Sequence, residues 1–283
     1  MAATSPLWPA ELHHFRMNSA DPEALVAFYE KGFAMTTAQV AEDLWHLAGP
    51  GRRILIGRGE STRVAFAAYV LDDPVRLEAL EAHIRGQGAA IEASPSPLFG
   101  NAAFSVRDPD GQRLVFGVLP EGADAHASTE GLPGRTQHIV FSSTQLPVVA
   151  PFYRDVLGFV VSDEVIDDDG AVTACFLRSD ELHHSYAVFR GDGQGYDHHA
   201  LEVDCWNDIR DWGDHFASMR VPIWWGPGRH GPGNNLFFMI SDPDGNRIEL
   251  SAEQELMPRE MAMRTWPHDE HTLNLWGNAW MRS

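Results

Sequence analysis

Two side chains in the stretch GPGRHGPGNNLFFMISDPDGNRIE, residues 226–249, stand where chemistry is possible: His230 and Glu249. His230 is presented by a Gly/Pro-rich loop, which suits close approach of a ligand better than packing. Glu249 lies in a segment that otherwise reads as an apolar strand, Arg247-Ile248-Glu249-Leu250. A carboxylate in such a place is costly to bury unless it is paired or bound to a metal. The run Leu236-Phe237-Phe238-Met239-Ile240 before it predicts a buried strand. Asp242-Pro243-Asp244-Gly245 then predicts the tight turn between the two strands.

The elements that must position these residues repeat along the chain. The first half contains LHHFRM, PEALVAFYEKGFAM, RVAFAAYV and NAAFSVRDPDGQRLVFGVL, and the second contains TQHIVF, LPVVAPFYRDVLGFVV, HHALEV and NNLFFMISDPDGNRIELSA. Phe28-Tyr29 recurs as Phe152-Tyr153, and His14 recurs as His138 at the same offset. Each half therefore predicts a strand, a helix, and several strands broken by a second helix. Asp21-Pro22 and Asp73-Pro74 pair an N-cap with proline at the first helical position. Val75, Leu77, Leu80 and Ile84 predict the apolar face of the second helix, and Asp208–Met219 is its counterpart. Glu121–Gly134 lacks apolar periodicity and reads as a linker.

Composition narrows the function. With 21 basic and 40 acidic residues the net charge is −19, which argues against a nucleic-acid or anionic-membrane partner. Cys175 and Cys205 form no disulfide framework and fit a reducing cytoplasm as small core residues. The start, MAATSPLWPAELHHF, lacks a basic segment followed by an apolar core, so no signal peptide is expected.

The Gly-x-His loop, the apolar strand, Asp-Pro-Asp-Gly and the Glu on the next strand resemble the signature of two-domain extradiol ring-cleaving dioxygenases. These belong to the vicinal oxygen chelate group, with glyoxalase I and the bleomycin-resistance proteins. The resemblance covers nearly the whole chain. It implies an α+β fold of two tandem modules, each made of paired βαβββ units forming a curved, half-open mixed β-barrel, plus a C-terminal tail. The modules fall at 1–120 and 135–255, with the linker at 121–134 and a tail at 256–283 that packs over the catalytic module.

The resemblance also implies a site. Carried over residue by residue, the metal ligands are His138 in TQHIVF, His199 in DHHALEV and Glu249 in NRIEL. His199 is taken as the second of its pair, which leaves His198 on the opposite strand face as a substrate-binding group. Two neutral imidazoles and one carboxylate form the facial triad of non-haem iron oxygenases, so Fe(II) is expected, with Mn(II) as the alternative. His184 matches the histidine that handles the substrate proton, with His183 beside it as competitor, and His230 matches a second pocket histidine. Trp225 and Met239 face substrate; Met239 stands where the family has Tyr, and a thioether cannot donate a hydrogen bond.

Family members that cleave carboxylated catechols use Arg where this chain has Trp225 and Leu273, although Arg229 is nearby. A hydrophobic catechol is therefore the expected substrate, with O2. In the first module the ligand equivalents are His14, a position near Arg63–Val64, and Val115, so that module should bind no metal, with His13 and His14 structural. The resemblance implies a cytoplasmic, homo-oligomeric enzyme of aromatic catabolism. Alternatives are a glyoxalase-type isomerase or hydrolase using Zn(II), Ni(II) or Mn(II), a hydroquinone-cleaving dioxygenase, or a metal-free binding module.

Overall fold

The computed structural model describes residues 5–123 and 127–282; residues 124–126, within the expected linker, residues 1–4 and residue 283 lie outside the described residues. The first half comprises β1 (Glu11–Ser19), α1 (Pro22–Phe33), β2 (Thr36–Ala41), β3 (Leu44–Gly49), β4 (Arg52–Arg58), β5 (Arg63–Val70), α2 (Pro74–Gly86), β6 (Glu92–Ala93), β7 (Phe104–Arg107) and β8 (Arg113–Gly117). The second comprises β9 (Arg135–Ser143), α3 (Leu146–Pro151), β10 (Val160–Ile166), β11 (Val172–Arg178), β12 (Tyr186–Arg190), β13 (Gly195–Val203), α4 (Trp206–Ser218), β14 (Trp225–Arg229), β15 (Leu236–Ser241) and β16 (Arg247–Ala252). Beyond these lie β17 (Arg264–Pro267) and α5 (Glu270–Leu273).

The repeat becomes two sheets of matching strand order. One runs β2-β3-β4-β1-β5-β8-β7-β6; the other runs β14-β15-β16-β13-β9-β12-β11-β10-β17. Read from opposite edges the orders coincide, apart from β17, which adds to β10 in parallel. Each sheet holds two βαβββ units, giving the α+β architecture expected.

Local chemistry explains the helices. The Asp21 side chain accepts from the Ala24 amide and that of Asp73 from the Val75 amide, with proline next in each case. Leu77, Leu80 and Ile84 form the buried face of α2, but Val75 is 70% exposed, because in the first turn it points away from that face. Pro151 lacks an N–H, and the chain from Phe152 to Leu157 continues α3 as a π-helical stretch ending at Gly158 in the left-handed region.

The main core lies behind the sheets, on the face carrying Phe15, Ile139, Leu201, Ile248 and Leu250. Phe33 of α1 packs 5.4 Å from both Trp212 and Phe216 of α4, joining the two halves. Arg52, 1% exposed, ties the same region: Nε donates to the Phe33 carbonyl at 2.9 Å, and Nη1 donates to those of Leu132 and Gly134 at 3.0 Å. Burial lowers its pKa to about 10, so it stays charged near neutral pH. Replacing it removes charged donors from three carbonyls, each bond contributing about 1 kcal/mol or more. Arg52→Met should therefore lower stability by about 3 kcal/mol in urea unfolding; a loss below about 1 kcal/mol would show that water replaces these bonds. No described helix is long and apolar enough to cross a membrane.

Candidate metal centre and pocket

Strand register places the site. In the second sheet, His138 of β9 stands opposite Ala200 of β13, Ala200 opposite Glu249 of β16, Glu249 opposite Met239 of β15, and Met239 opposite Trp225 of β14. These five residues form one row across five strands. Successive side chains of a strand alternate faces, so His198, two residues before Ala200, shares the face of that row. Ala200 carries only a methyl group, which leaves space for the imidazoles and carboxylate around it.

The result is a buried cluster of three donors. His138 Nε2 and His198 Nε2 are 3.4 Å apart, and they lie 3.8 and 3.3 Å from Glu249 Oε2. Donors about 2.1 Å from one ion and mutually at right angles would be about 3 Å apart, so the cluster fits a single transition metal with modest contraction. Among the described residues this is the group of three able to hold a metal.

The expectation at His199 is corrected. His199 points to the opposite face, into the main core, where its ring centroid lies 4.6 Å from that of Phe15 and Nδ1 is 2.6 Å from the Tyr196 hydroxyl. Burial pushes its pKa down to about 3. The sequence held the signal: Leu201 and Val203, at spacing two from His199, are core residues, whereas Ala200 shares the face of His198. His198, assigned to substrate, instead faces the other two donors.

Each donor is held from behind. His198 Nδ1 lies 2.5 Å from Asp197 Oδ1, and His138 Nδ1 contacts the Gln137 side-chain oxygen. Glu249 Oε1 accepts from Asn235 Nδ2 at 3.2 Å. Burial lowers the pKa of His138 to about 3, keeping it neutral and able to ligate. For His198 burial acts the same way, but the carboxylates of Asp197 and Glu249 outweigh it and the net shift is upward. Burial would raise the pKa of Glu249; the surrounding imidazoles of His198, His230 and His138 overcome this and hold it well below the usual carboxylate range.

A pocket with about 400 Å³ of space between its atoms, partly open to solvent, lies over the cluster. Its walls include Val140, Phe176, Phe189, Trp225, Met239 and Leu273. His184 and His230 also line it. His184 is buried, with its ring centroid 4.3 Å from that of His138. Its Nδ1 contacts His183 Nδ1 and Gln254 Nε2, both at 2.9 Å, so Nε2 is the nitrogen left for the pocket. His183 is turned away, with Nε2 2.9 Å from Asp163 Oδ2. That separates the two neighbours, which the sequence left as competitors.

His230 is built into the site by the segment after β16. Its ring stacks on Phe237 with centroids 3.8 Å apart, and Nδ1 donates to the Leu273 carbonyl at 2.5 Å, which leaves Nε2 3.8 Å from Glu249 Oε1. Gly228 and Gly231 permit this approach: a Cβ at either would meet Asn274 Oδ1 at 2.4 Å or the Thr272 carbonyl at 2.8 Å. Arg229 turns away to Glu253 at 2.8 Å. Sequence reasoning missed Asp197, which neighbours His198 on β13, because His198 was placed on the other face of that strand, and missed Gln254 and Arg282 because each reaches the site from a distant segment.

The first sheet is an internal control. The row equivalent to His138-Ala200-Glu249 is His14-Ala68-Val115, and two residues before Ala68 stands Phe66, not the expected position near Arg63–Val64. Phe66 and Val115 belong to an apolar cluster with Leu98 and Phe99. His14 Nε2 bonds Ser96 Oγ at 2.7 Å and its Nδ1 lies 2.8 Å from His13 Nδ1.

Paired βαβββ units carrying two imidazoles and one carboxylate on a single sheet face define a recognisable class of protein. The chain belongs to the Glyoxalase/Bleomycin resistance protein/Dioxygenase superfamily, whose pattern matches residues 11–116 and 135–250. It is 28% identical over 294 residues to Metapyrocatechase 2 of Cupriavidus necator, covering 94% of this chain and 88% of that one. It is 22% identical to 3-methylcatechol 2,3-dioxygenase of Pseudomonas putida, covering 87% and 89%. The fold is also that of homoprotocatechuate 2,3-dioxygenase from Arthrobacter globiformis, with a TM-score of 0.81 at 24% identity over 99% of this chain and 91% of that one.

Proposed function

We propose that this protein is an extradiol dioxygenase that uses O2 to open a catecholic ring beside its two hydroxyls, at a metal held by His138, His198 and Glu249. The observation that carries this reading is the buried two-histidine, one-carboxylate cluster opening onto an apolar pocket that also contains His184 and His230. The similarity to proteins named metapyrocatechase and 3-methylcatechol 2,3-dioxygenase agrees with it. Fe(II) is the metal proposed for this donor set, with Mn(II) as the alternative. Bound there, the ion supplies open coordination positions and a positive charge that makes a coordinated hydroxyl more acidic.

The chain's own residues supply the remainder. His184 is kept neutral, because burial and then His138 and His183 push its pKa well down, and its Nε2, the nitrogen facing the pocket, is placed to exchange a proton with bound substrate. His230, with its proton fixed on Nδ1 by the Leu273 carbonyl, offers Nε2 toward the same space. Met239 lies beside Glu249 in the row and cannot donate a hydrogen bond, so substrate orientation falls to the two histidines and to packing. Phe176, Phe189 and Trp225 favour an apolar ring substituent. In the first module Phe66 and Val115 replace two ligands, so that half is a structural partner without a metal.

Anaerobically reconstituted protein should consume O2 and yield a yellow ring-opened product with alkyl- or aryl-substituted catechols. Their kcat/KM should exceed that for a carboxylated catechol by at least about tenfold, since the pocket cation Arg282 is already paired with Asp197. No O2 uptake with any catechol, in protein that holds iron, would refute the reading; faster turnover of the carboxylated one would refute the pocket assignment.

A further inference from the structure

Beyond the donors and the pocket histidines, one buried ion pair links the C-terminal segment to the site. Asp197 and Arg282 have side chains only 7% and 8% exposed. Arg282 Nε donates to Asp197 Oδ2 at 2.8 Å and Nη2 donates to Oδ1 at 2.9 Å, a bidentate pairing of guanidinium and carboxylate. The same Oδ1 lies 2.5 Å from His198 Nδ1. The guanidinium is sandwiched by aromatic rings, 3.8 Å from the centroid of Trp280 and 4.3 Å from that of Phe189. Nη1 also donates to the Trp280 carbonyl at 3.2 Å.

We propose that Arg282 is a positioning residue for the site: through Asp197 it fixes the ring orientation and tautomer of His198. An ionised carboxylate only accepts hydrogen bonds; Asp197, 2.5 Å from Nδ1, claims the single proton of the neutral ring over Glu249, 3.3 Å from Nε2, so His198 carries it on Nδ1 and presents the Nε2 lone pair toward His138 and Glu249. A carboxylate this deeply buried is stable as an anion only with a partner, and Arg282 is a cation that meets both of its oxygens. The Arg282 fork therefore acts two bonds away from the donor atom. His138 is backed differently, by the neutral amide of Gln137. The two imidazoles thus differ in the charge behind them, and the distant tail controls one of them. A partner behind a ligating histidine commonly contributes 10–100-fold to metal affinity.

This inference rests on the metal reading above, so its test separates the two. In metal-free protein, at a pH alkaline enough for the ring of His198 to have lost its charge, nitrogen-15 imidazole spectra report the tautomer of each histidine directly. Wild-type His198 should be a single Nδ1–H tautomer. Arg282→Gln should give a mixture at His198 while leaving His138 unchanged, and should weaken anaerobic Fe(II) binding, measured by chelator competition, by about tenfold. Asp197→Asn should weaken it by 10–100-fold, and Arg282→Lys, which keeps the charge but loses the fork, should fall between wild type and Arg282→Gln. If Arg282→Gln does not fold, Arg282→Lys decides by the same two readouts. An unchanged His198 tautomer, with Fe(II) affinity within about twofold of a wild type that binds Fe(II), overturns the inference alone. A wild type that binds no Fe(II) overturns the metal reading, whatever the tautomer.

Discussion

Replacing His198 with alanine should remove the bound metal and with it O2 consumption, whereas the same change at His199 should leave both in place. His198 Nε2 stands 3.3 Å from Glu249 Oε2 and 3.4 Å from His138 Nε2, so its loss leaves two donors, too few to hold the ion firmly. Metal affinity should fall by more than about 100-fold, since even partners behind the ligands contribute 10–100-fold. His199→Ala instead opens a cavity beside Phe15 and Tyr29 in the core. It should cost about 2–4 kcal/mol of stability while one metal per chain is retained. Metal analysis and urea unfolding of the two variants distinguish the faces of β13. Metal loss in His199→Ala with retention in His198→Ala would reverse the assignment.

His184→Gln should leave metal content within about twofold of wild type and lower kcat by about 10²–10⁴-fold, the usual contribution of a positioned acid–base group. The side chain lines the pocket yet lies outside the three-donor group. Its Nδ1 is engaged by His183 and Gln254, which orient Nε2 toward substrate. Because its pKa is held well below the ordinary value, the wild-type imidazole is neutral throughout the neutral pH range. Activity should therefore not fall between pH 8 and pH 6 on account of His184. Steady-state O2 uptake measures kcat and KM, and a change in KM alone would make His184 a binding group instead.

The architecture was legible because the repeat is written in whole elements: two Asp-Pro helix starts, two Asp-Pro-Asp-Gly turns and matched apolar strands. Glu249 was legible as a carboxylate inside an apolar strand, and His138 only through its place in the resembling motif, since alone it reads as an ordinary strand histidine. Within His198-His199, motif position points to His199 whereas strand parity points to His198, the one that faces His138 and Glu249. The pattern Leu201, Val203 already assigned His199 to the core face. Asp197 and Arg282 could not be paired from sequence, since nothing local indicates that the tail returns to β13. Leu273 likewise reaches the pocket only through the fold, where its carbonyl sets His230.

The most direct test is anomalous diffraction at the iron edge from crystals of protein loaded anaerobically with Fe(II). The account predicts one peak per chain in the second half of the molecule, about 2.0–2.2 Å from His138 Nε2, His198 Nε2 and a Glu249 oxygen, and none near His14. A peak bonded to His199, or none at the three-donor cluster, would contradict it.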